Sequence, residues 1–411
     1  MYRVFISEKH ENRRISDHLF IGGQWVESES GEVYTRRDPA TGNVVSRHDR
    51  ATRAEAERAI TAAREAFDHG PWPHMGAAAR GDVLRRERTD ELARLITLET
   101  GKPIAQARGE IQTTANLFDH FTHLALEAHG ESYAISGTYD ALVAREPVGV
   151  VAAIVPWNFP IMMLAFKLAP ALAVGCTVVC KPAELTNSIV AEVCEILRRA
   201  GVSDGALNMV SGQGTVVGAA LAESPLVDRV TFTGSTDVGR GVMRGAAENL
   251  TRVGLELGGK SPHLVFADTA RMDDAVDAAC CNVFFNQGAV CDGGTRLLLE
   301  RRIHDEFLEK LIAKTETLTI GDPMTDVHLG PIISEEQGKR ILQYIETGKQ
   351  EAALVTGGRR LRGALTVHGA KNGVLPILAA SYLTDGSCTL RNCPDLSDVR
   401  LCGAILRGLG A

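Results

Sequence analysis

The chain of 411 residues has no CxxC pair, and its nine cysteines, at 176, 180, 194, 280, 281, 291, 388, 393 and 402, form an odd and scattered set. Such a set does not make a disulfide framework or a compact zinc motif, and it predicts reduced thiols. No apolar run reaches about 18 residues without a charge, so no transmembrane helix is expected. The first residues, MYRVFISEKHENRR, lack an apolar h-region and mix acids with bases. Neither a secretory signal nor a transit peptide is expected, and the cytoplasm is the expected compartment. An excess of positive charge is also missing: the formal net charge of -7 gives no electrostatic reason to expect nucleic acid. Small-molecule chemistry remains.

The chain is long enough for two or three domains, each with its own core. Residues 1–50 are polar and turn-rich, with IGGQW and DPATG as tight turns, and helical periodicity begins after Thr52 in ATRAEAERAITAAREAF. In GDVLRRERTDELARLITLETGKP the apolar stripe is interrupted for about two turns between Leu84 and Leu92. Residues 131–147 alternate around Gly137 as a two-stranded hairpin would, a form suited to assembly. From Val148 the pattern is strand, helix, strand: GVVAAIV, IMMLAFKLAPALAVG, TVVC, IVAEVCEILRRAG, ALNMVSG, VVGAALAES, RVTFTGS and VGRGVMRGAAENL. That alternation predicts a parallel sheet covered on both faces. SPHLVFADT, RMDDAVDAACCNVFFNQG and HDEFLEKLIAKTETL then open a second α/β lobe, and composition changes abruptly at GGRRLRG.

FFNQGAVCDGGTR sets Cys291 after a helix end and a glycine turn, not in an apolar stripe. A lone cysteine is by itself a small hydrophobe, but glycines here let backbone amides approach a reacting centre. GSTDVG, Gly234 to Gly239, follows the strand RVTF and opens a helix, whose N–H groups and dipole favour pyrophosphate, with Ser235 facing it. A glycine pair before a helix is weak evidence alone, and Gly212-x-Gly214 is weaker. His120, His123 and Glu127 fall at i, i+3 and i+7, yet a structural helix face explains them, and no metal is expected.

FFNQGAVC, LELGGKSP, VPWNFP, CKPAELT and FTGSTDVG stand in the order and spacing of the aldehyde dehydrogenase superfamily, which the chain resembles over about residues 17–358. The resemblance implies oxidation of an aldehyde to a carboxylic acid with NAD through a Cys291 thioester. It makes Cys291 the nucleophile, Asn158 the oxyanion donor together with the Cys291 N–H, and Glu256 the base that activates water. It also implies that Lys181 and Glu184 bond the adenosine ribose, where a glutamate repels a 2′-phosphate, and that Trp157 lies near the cofactor. Taken alone, Asn158 would be a turn residue, Glu256 a partner for a surface cation and Trp157 a core anchor.

The chain departs from the family in having Ala289 where glutamine is usual, a helix about two turns shorter at RRERTDEL, and no EIFGP-like motif to hold the nicotinamide ribose. The tail from about Arg359 resembles the N-terminus of UDP-N-acetylglucosamine 1-carboxyvinyltransferase, with Lys371 and Asn372 in GAKN matching substrate-binding positions.

The expected architecture is therefore α/β, with a doubly wound parallel-sheet NAD-binding domain (1–130 and 148–257) and an oligomerisation hairpin (131–147). An incomplete second α/β catalytic lobe (258–358) and a β-α-β-α fragment (359–411) follow, as in a fusion of two gene pieces. Two rival readings are an inert product that retains a nucleotide-binding fold, and a carboxyvinyl transferase.

Overall fold

The computed structural model describes residues 17–84, 91–135, 137 and 139–351. The interrupted stretch at 85–90 and the expected β-α-β-α tail, with Lys371, Asn372 and the cysteines at 388, 393 and 402, lie outside the described residues. The chain divides into two compact units, Met1–Leu257 with Pro323–Asp326, and Gly258–Asp322 with Val327–Ala411. Among the described residues no helix is long and apolar enough to cross a membrane.

The first unit opens on an antiparallel pair, β1 (Leu19–Ile21) and β2 (Gln24–Val26), turned by Gly22 and Gly23 at φ 61° and 83°. A second pair, β3 (Val33–Arg37) and β4 (Val44–Asp49), follows. The polar lead-in thus carries four strands where the sequence suggested only turns, because strands this short and polar show no period-2 stripe. Helix α1 (Arg53–Asp68) begins where the periodicity does: Thr52 accepts from the Glu55 N–H, and the Glu55 carboxylate accepts from the Thr52 N–H. This reciprocal cap satisfies two donors that a helix start leaves bare. Three further helices come next, α2 (Ala77–Leu84), α3 (Glu91–Thr100) and α4 (Ile104–Leu126), then the hairpin β5 (Glu131–Ile135) and β6 (Tyr139–Val143).

The alternating region follows as β7 (Val150–Ile154), α5 (Pro160–Ala173), β8 (Thr177–Lys181), α6 (Asn187–Ala200) and β9 (Leu207–Met209). It continues as α7 (Ala219–Glu223), β10 (Arg229–Gly234), α8 (Thr236–Ala247) and β11 (Arg252–Leu257). These strands form a seven-stranded sheet in the order β11-β10-β7-β8-β9-β1-β2, whose first five members run parallel. Every residue of β7 and β8 is buried, which explains their unbroken apolar runs. Along β7, Val151 and Ala153 enter one core with Leu164, Leu168 and Ile189, while Val150 and Ala152 enter the other with Ala59, Ile60 and Val217. The sheet is doubly wound, and its order reverses between β7 and β10.

Helices α5 and α6 start without side-chain caps of their own, since neither Phe159 nor Thr186 supplies one. Buried glutamates from other helices take that role. Glu110 of α4 accepts from the N–H groups of Ile161 and Met162 at 3.2 and 3.3 Å, and Glu99 of α3 accepts from those of Ser188 and Ile189 at 3.0 Å each.

The second unit contains a parallel pair, β12 (Pro262–Val265) and β13 (Arg296–Leu299), joined through α9 (Met272–Phe284). Helices α10 (His304–Glu316) and α11 (Glu335–Glu351) follow. Its core is small: Val265, Val276, Ala279, Ile303 and Phe307.

Candidate active site

In an open α/β sheet, ligands bind at the carboxyl ends of the strands where the order reverses. In the first unit that place lies between β7 and β10. The chain leaving β7 runs through Val155, Pro156, the half-buried Trp157 and Asn158, and Phe159 into α5. The chain leaving β10 turns at Gly234 and Ser235 into α8, whose start Ser235 caps by accepting from the Val238 N–H at 3.4 Å. Trp157, Asn158, Gly234 and Ser235 therefore flank one crevice mouth.

Gly234 and Gly239 sit where neighbouring side chains pack closely on the backbone. A Cβ on Gly234 would lie 2.5 Å from the Phe232 ring, and one on Gly239 would lie 2.7 Å from Leu257. Gly212, at φ 152°, would meet Val217 at 2.8 Å and sits where the chain passes Ala51. These three glycines let helix and strand approach.

Lys181 ends β8 with its ammonium buried and donating to the Pro182 carbonyl at 2.9 Å. Burial pulls its pKa down to about 8, against the opposing pull of Glu184. Glu184 opens the turn after β8, and its carboxylate accepts from Arg50 Nε at 2.8 Å. Arg50 was missed in the sequence, because a residue 134 positions away from its partner carries no local signal. Two hydrogen-bonding side chains at the end of β8 fit a ribose, and the open N–H groups starting α8 fit a diphosphate, so the residues of this unit suit NAD.

Glu256 is the penultimate residue of β11, in register opposite Thr233, and is exposed. Among the described residues it forms no ion pair. Its charge acts on Lys167 instead. Lys167 lies in α5, only 5% exposed, and donates to the hydroxyls of Thr233 at 2.7 Å and Thr231 at 3.2 Å. Burial lowers its pKa to about 8, while the Glu256 carboxylate raises it and Arg229 lowers it further. The sequence did offer a sign of Lys167: it is the one charged residue in the apolar helix IMMLAFKLAPALAVG.

In the second unit, α9 ends at Phe284 and the chain passes through Asn286 (φ 51°, ψ 42°), Gln287 (φ 54°, ψ 27°) and Gly288 (φ 77°) before an exposed Cys291. Two non-glycine residues in succession in the left-handed region cost of order 1–3 kcal/mol each. Side chains hold them there: Asn286 Nδ2 donates to the Ala289 carbonyl at 3.2 Å and Gln287 Nε2 to that of Pro331 at 3.1 Å. Beyond the cysteine, a Cβ on Gly293 would lie 2.8 Å from the Asn282 carbonyl, so that position needs glycine. The thiol lies 4.0 Å from Asp292 Oδ1. Cys291 belongs to a different unit from Asn158 and Glu256.

The helical histidines act locally, His123 Nδ1 donating to the Asp119 carbonyl and His120 meeting Phe121 edge-on. Among the described residues no group of three or more His, Cys, Asp or Glu is placed to hold a metal ion.

Residues 25–376 match the model of the aldehyde dehydrogenase family, and residues 355–411 match that of EPSP synthase (3-phosphoshikimate 1-carboxyvinyltransferase). Aldehyde dehydrogenase family 2 member C4 of Arabidopsis thaliana is 41% identical over 354 residues, which are 84% of this chain and 70% of that protein. A crystal structure of indole-3-acetaldehyde dehydrogenase complexed with NAD+ superposes with a TM-score of 0.81 at 39% identity, over 83% of this chain and 71% of that one. The NAD-dependent aldehyde dehydrogenase of Sinorhizobium meliloti gives 0.80 at 39% identity, over 82% and 68%. With a doubly wound sheet, a cysteine on a strained turn and these matches, the chain belongs to the aldehyde dehydrogenase family.

Proposed function

We propose that Cys291, Asn158 and Glu256 carry out in this chain the reaction of its family, oxidation of an aldehyde to a carboxylic acid with NAD. The Cys291 thiolate forms an S–C bond to the aldehyde carbon, and the charge that moves to oxygen is stabilised by the Asn158 amide and the Cys291 N–H. NAD, when bound, accepts the hydride that leaves that carbon. Glu256 then takes a proton from water as it attacks the remaining thioester; the C–S bond breaks and the acid departs. The observation that carries this reading is the exposed Cys291 behind a turn held in left-handed geometry, since such geometry is kept where a side chain must be aimed. NADH formation with aliphatic and aromatic aldehydes tests it. Wild-type protein produces NADH and Cys291→Ala does not; if neither does, the reading fails.

Glu184 supports NAD over NADP, because it stands at the motif position where the family resemblance implies a ribose-bonding glutamate, and a carboxylate there would repel a 2′-phosphate. Assembly through β5 and β6 is supported by the exposed apolar side chains Tyr139 (73%) and Leu142 (79%). Leu142→Arg would then lower the mass seen by light scattering. Reduced, cytoplasmic surroundings are supported by Cys180 and Cys194, whose sulfurs meet at 3.8 Å. A join between two gene pieces is supported by the family matches that meet at 355–376, and sequencing the transcript across that stretch tests it.

A further inference from the structure

We propose that Lys102 and Glu110 form a buried clamp that holds Asn158 in its donating position, which makes Lys102 a positioning residue for the reaction. The proposal rests on the reading of Asn158 as the oxyanion donor.

Lys102 follows the left-handed Gly101 (φ 76°) between α3 and α4, and its side chain is fully buried. Its ammonium has three donors to place. It is bonded to the Glu110 carboxylate, donates to the Asn158 carbonyl oxygen at 3.0 Å, and lies 4.1 Å from the centre of the Phe159 ring. Glu110 in turn accepts from the N–H groups of Ile161 and Met162. One ion pair therefore grips the backbone on both sides of Pro160, a residue with no N–H to offer.

Stability alone does not account for this pair. A neutral acceptor at position 110 would still cap α5 and an apolar residue at 102 would fill the space as well, since withdrawing two charges from water offsets most of their attraction. Such a pair would not, however, fix the Asn158 carbonyl. With that oxygen fixed, the peptide plane from which the Asn158 side chain springs is fixed too. An oxyanion donor has to lie about 2.7–3.1 Å from an oxygen that bears charge only in transit, and a misplacement of about 1 Å costs on the order of 100-fold in rate. The clamp removes the backbone freedom that would allow such a misplacement.

The test is a double-mutant cycle on the full chain, with kcat for NADH formation, KM for NAD and thermal melting measured for each variant. Asn158→Ala is expected to lower kcat by about 10²–10³-fold. Lys102→Met should lower it by roughly 10–100-fold with KM for NAD changed by less than about 2-fold. Combined, the two should fall within about 3-fold of Asn158→Ala alone, because the lysine acts only through the asparagine. Since Lys102→Met strands a buried carboxylate, Lys102→Met with Glu110→Gln is made alongside it. That variant keeps an acceptor for the α5 amides, loses only the tether, and should show the same dependence on Asn158. Equal rate losses with and without Asn158, or an unchanged kcat in the tether variants, would overturn the clamp. A wild-type kcat in Asn158→Ala overturns the oxyanion reading itself, a signature distinct from failure of the clamp.

Discussion

Replacing Glu99 by glutamine should change how the stability of the protein depends on pH. Glu99 is completely buried, and burial raises its pKa from 4.5 to about 7 despite the Ser188 and Ile189 amides and Arg36, which pull it down. The folded state thus holds this proton more tightly than the unfolded chain. Its stabilising effect is complete below about 4.5 and is lost as pH rises through about 7. At about 1.4 kcal/mol per pH unit, the gap corresponds to an upper bound of roughly 3 kcal/mol. Glutamine does not titrate. It also presents one N–H group toward two amide donors, leaving one of them unsatisfied at a cost of about 1–3 kcal/mol. At pH 5, Glu99→Gln should therefore be less stable than wild type by about that amount. At pH 8 the difference should shrink or reverse, because only wild type then carries a buried carboxylate. Urea unfolding at pH 5, 6, 7 and 8 gives the comparison. A stability difference that stays constant over this range refutes the reasoning.

Three further outcomes follow from other sites. Lys167→Met should be more stable than wild type at pH 7, an advantage that shrinks as pH rises from about 8 toward 10.5, because the folded state releases the Lys167 proton more readily than the unfolded chain does; denaturant midpoints at pH 7 and 10 check it. Glu184→Gln should narrow the preference for NAD over NADP, measured as the ratio of kcat/KM values, by roughly tenfold, and an unchanged ratio would remove Glu184 from cofactor selection. Phe307→Ala empties the centre of a five-residue core and should cost about 3–5 kcal/mol, seen as early proteolytic cuts within Gly258–Asp322.

The parallel sheet was legible because strands buried on both faces show as continuous apolar runs, as in β7 and β8. The lead-in strands were not, since strands this short and polar carry no period-2 stripe, and β1 joins the large sheet only through Phe20, paired with Met209 of β9 from far along the chain. The same division holds at the candidate site. Cys291, Asn158 and Glu256 stand in recognisable local motifs, whereas Arg50, Lys102 and Glu99 matter through residues 134, 56 and 89 positions away. Periodicity and spacing report only on neighbours along the chain. A residue whose role is to meet another helix's backbone is invisible to them.

The glutamates that cap α5 and α6 from a distance have a kinetic consequence. A helix with a local cap can define its first turn as soon as it forms. Here the first amides are satisfied only after α3 and α4 have docked across 89 and 51 residues, and such non-local closure is slow and comes late. Hydrogen exchange at Ile161, Met162, Ser188 and Ile189 should accordingly track the undocking of α3 and α4. The mouth of the nucleotide crevice would then be among the last parts of the unit to form and among the first to open.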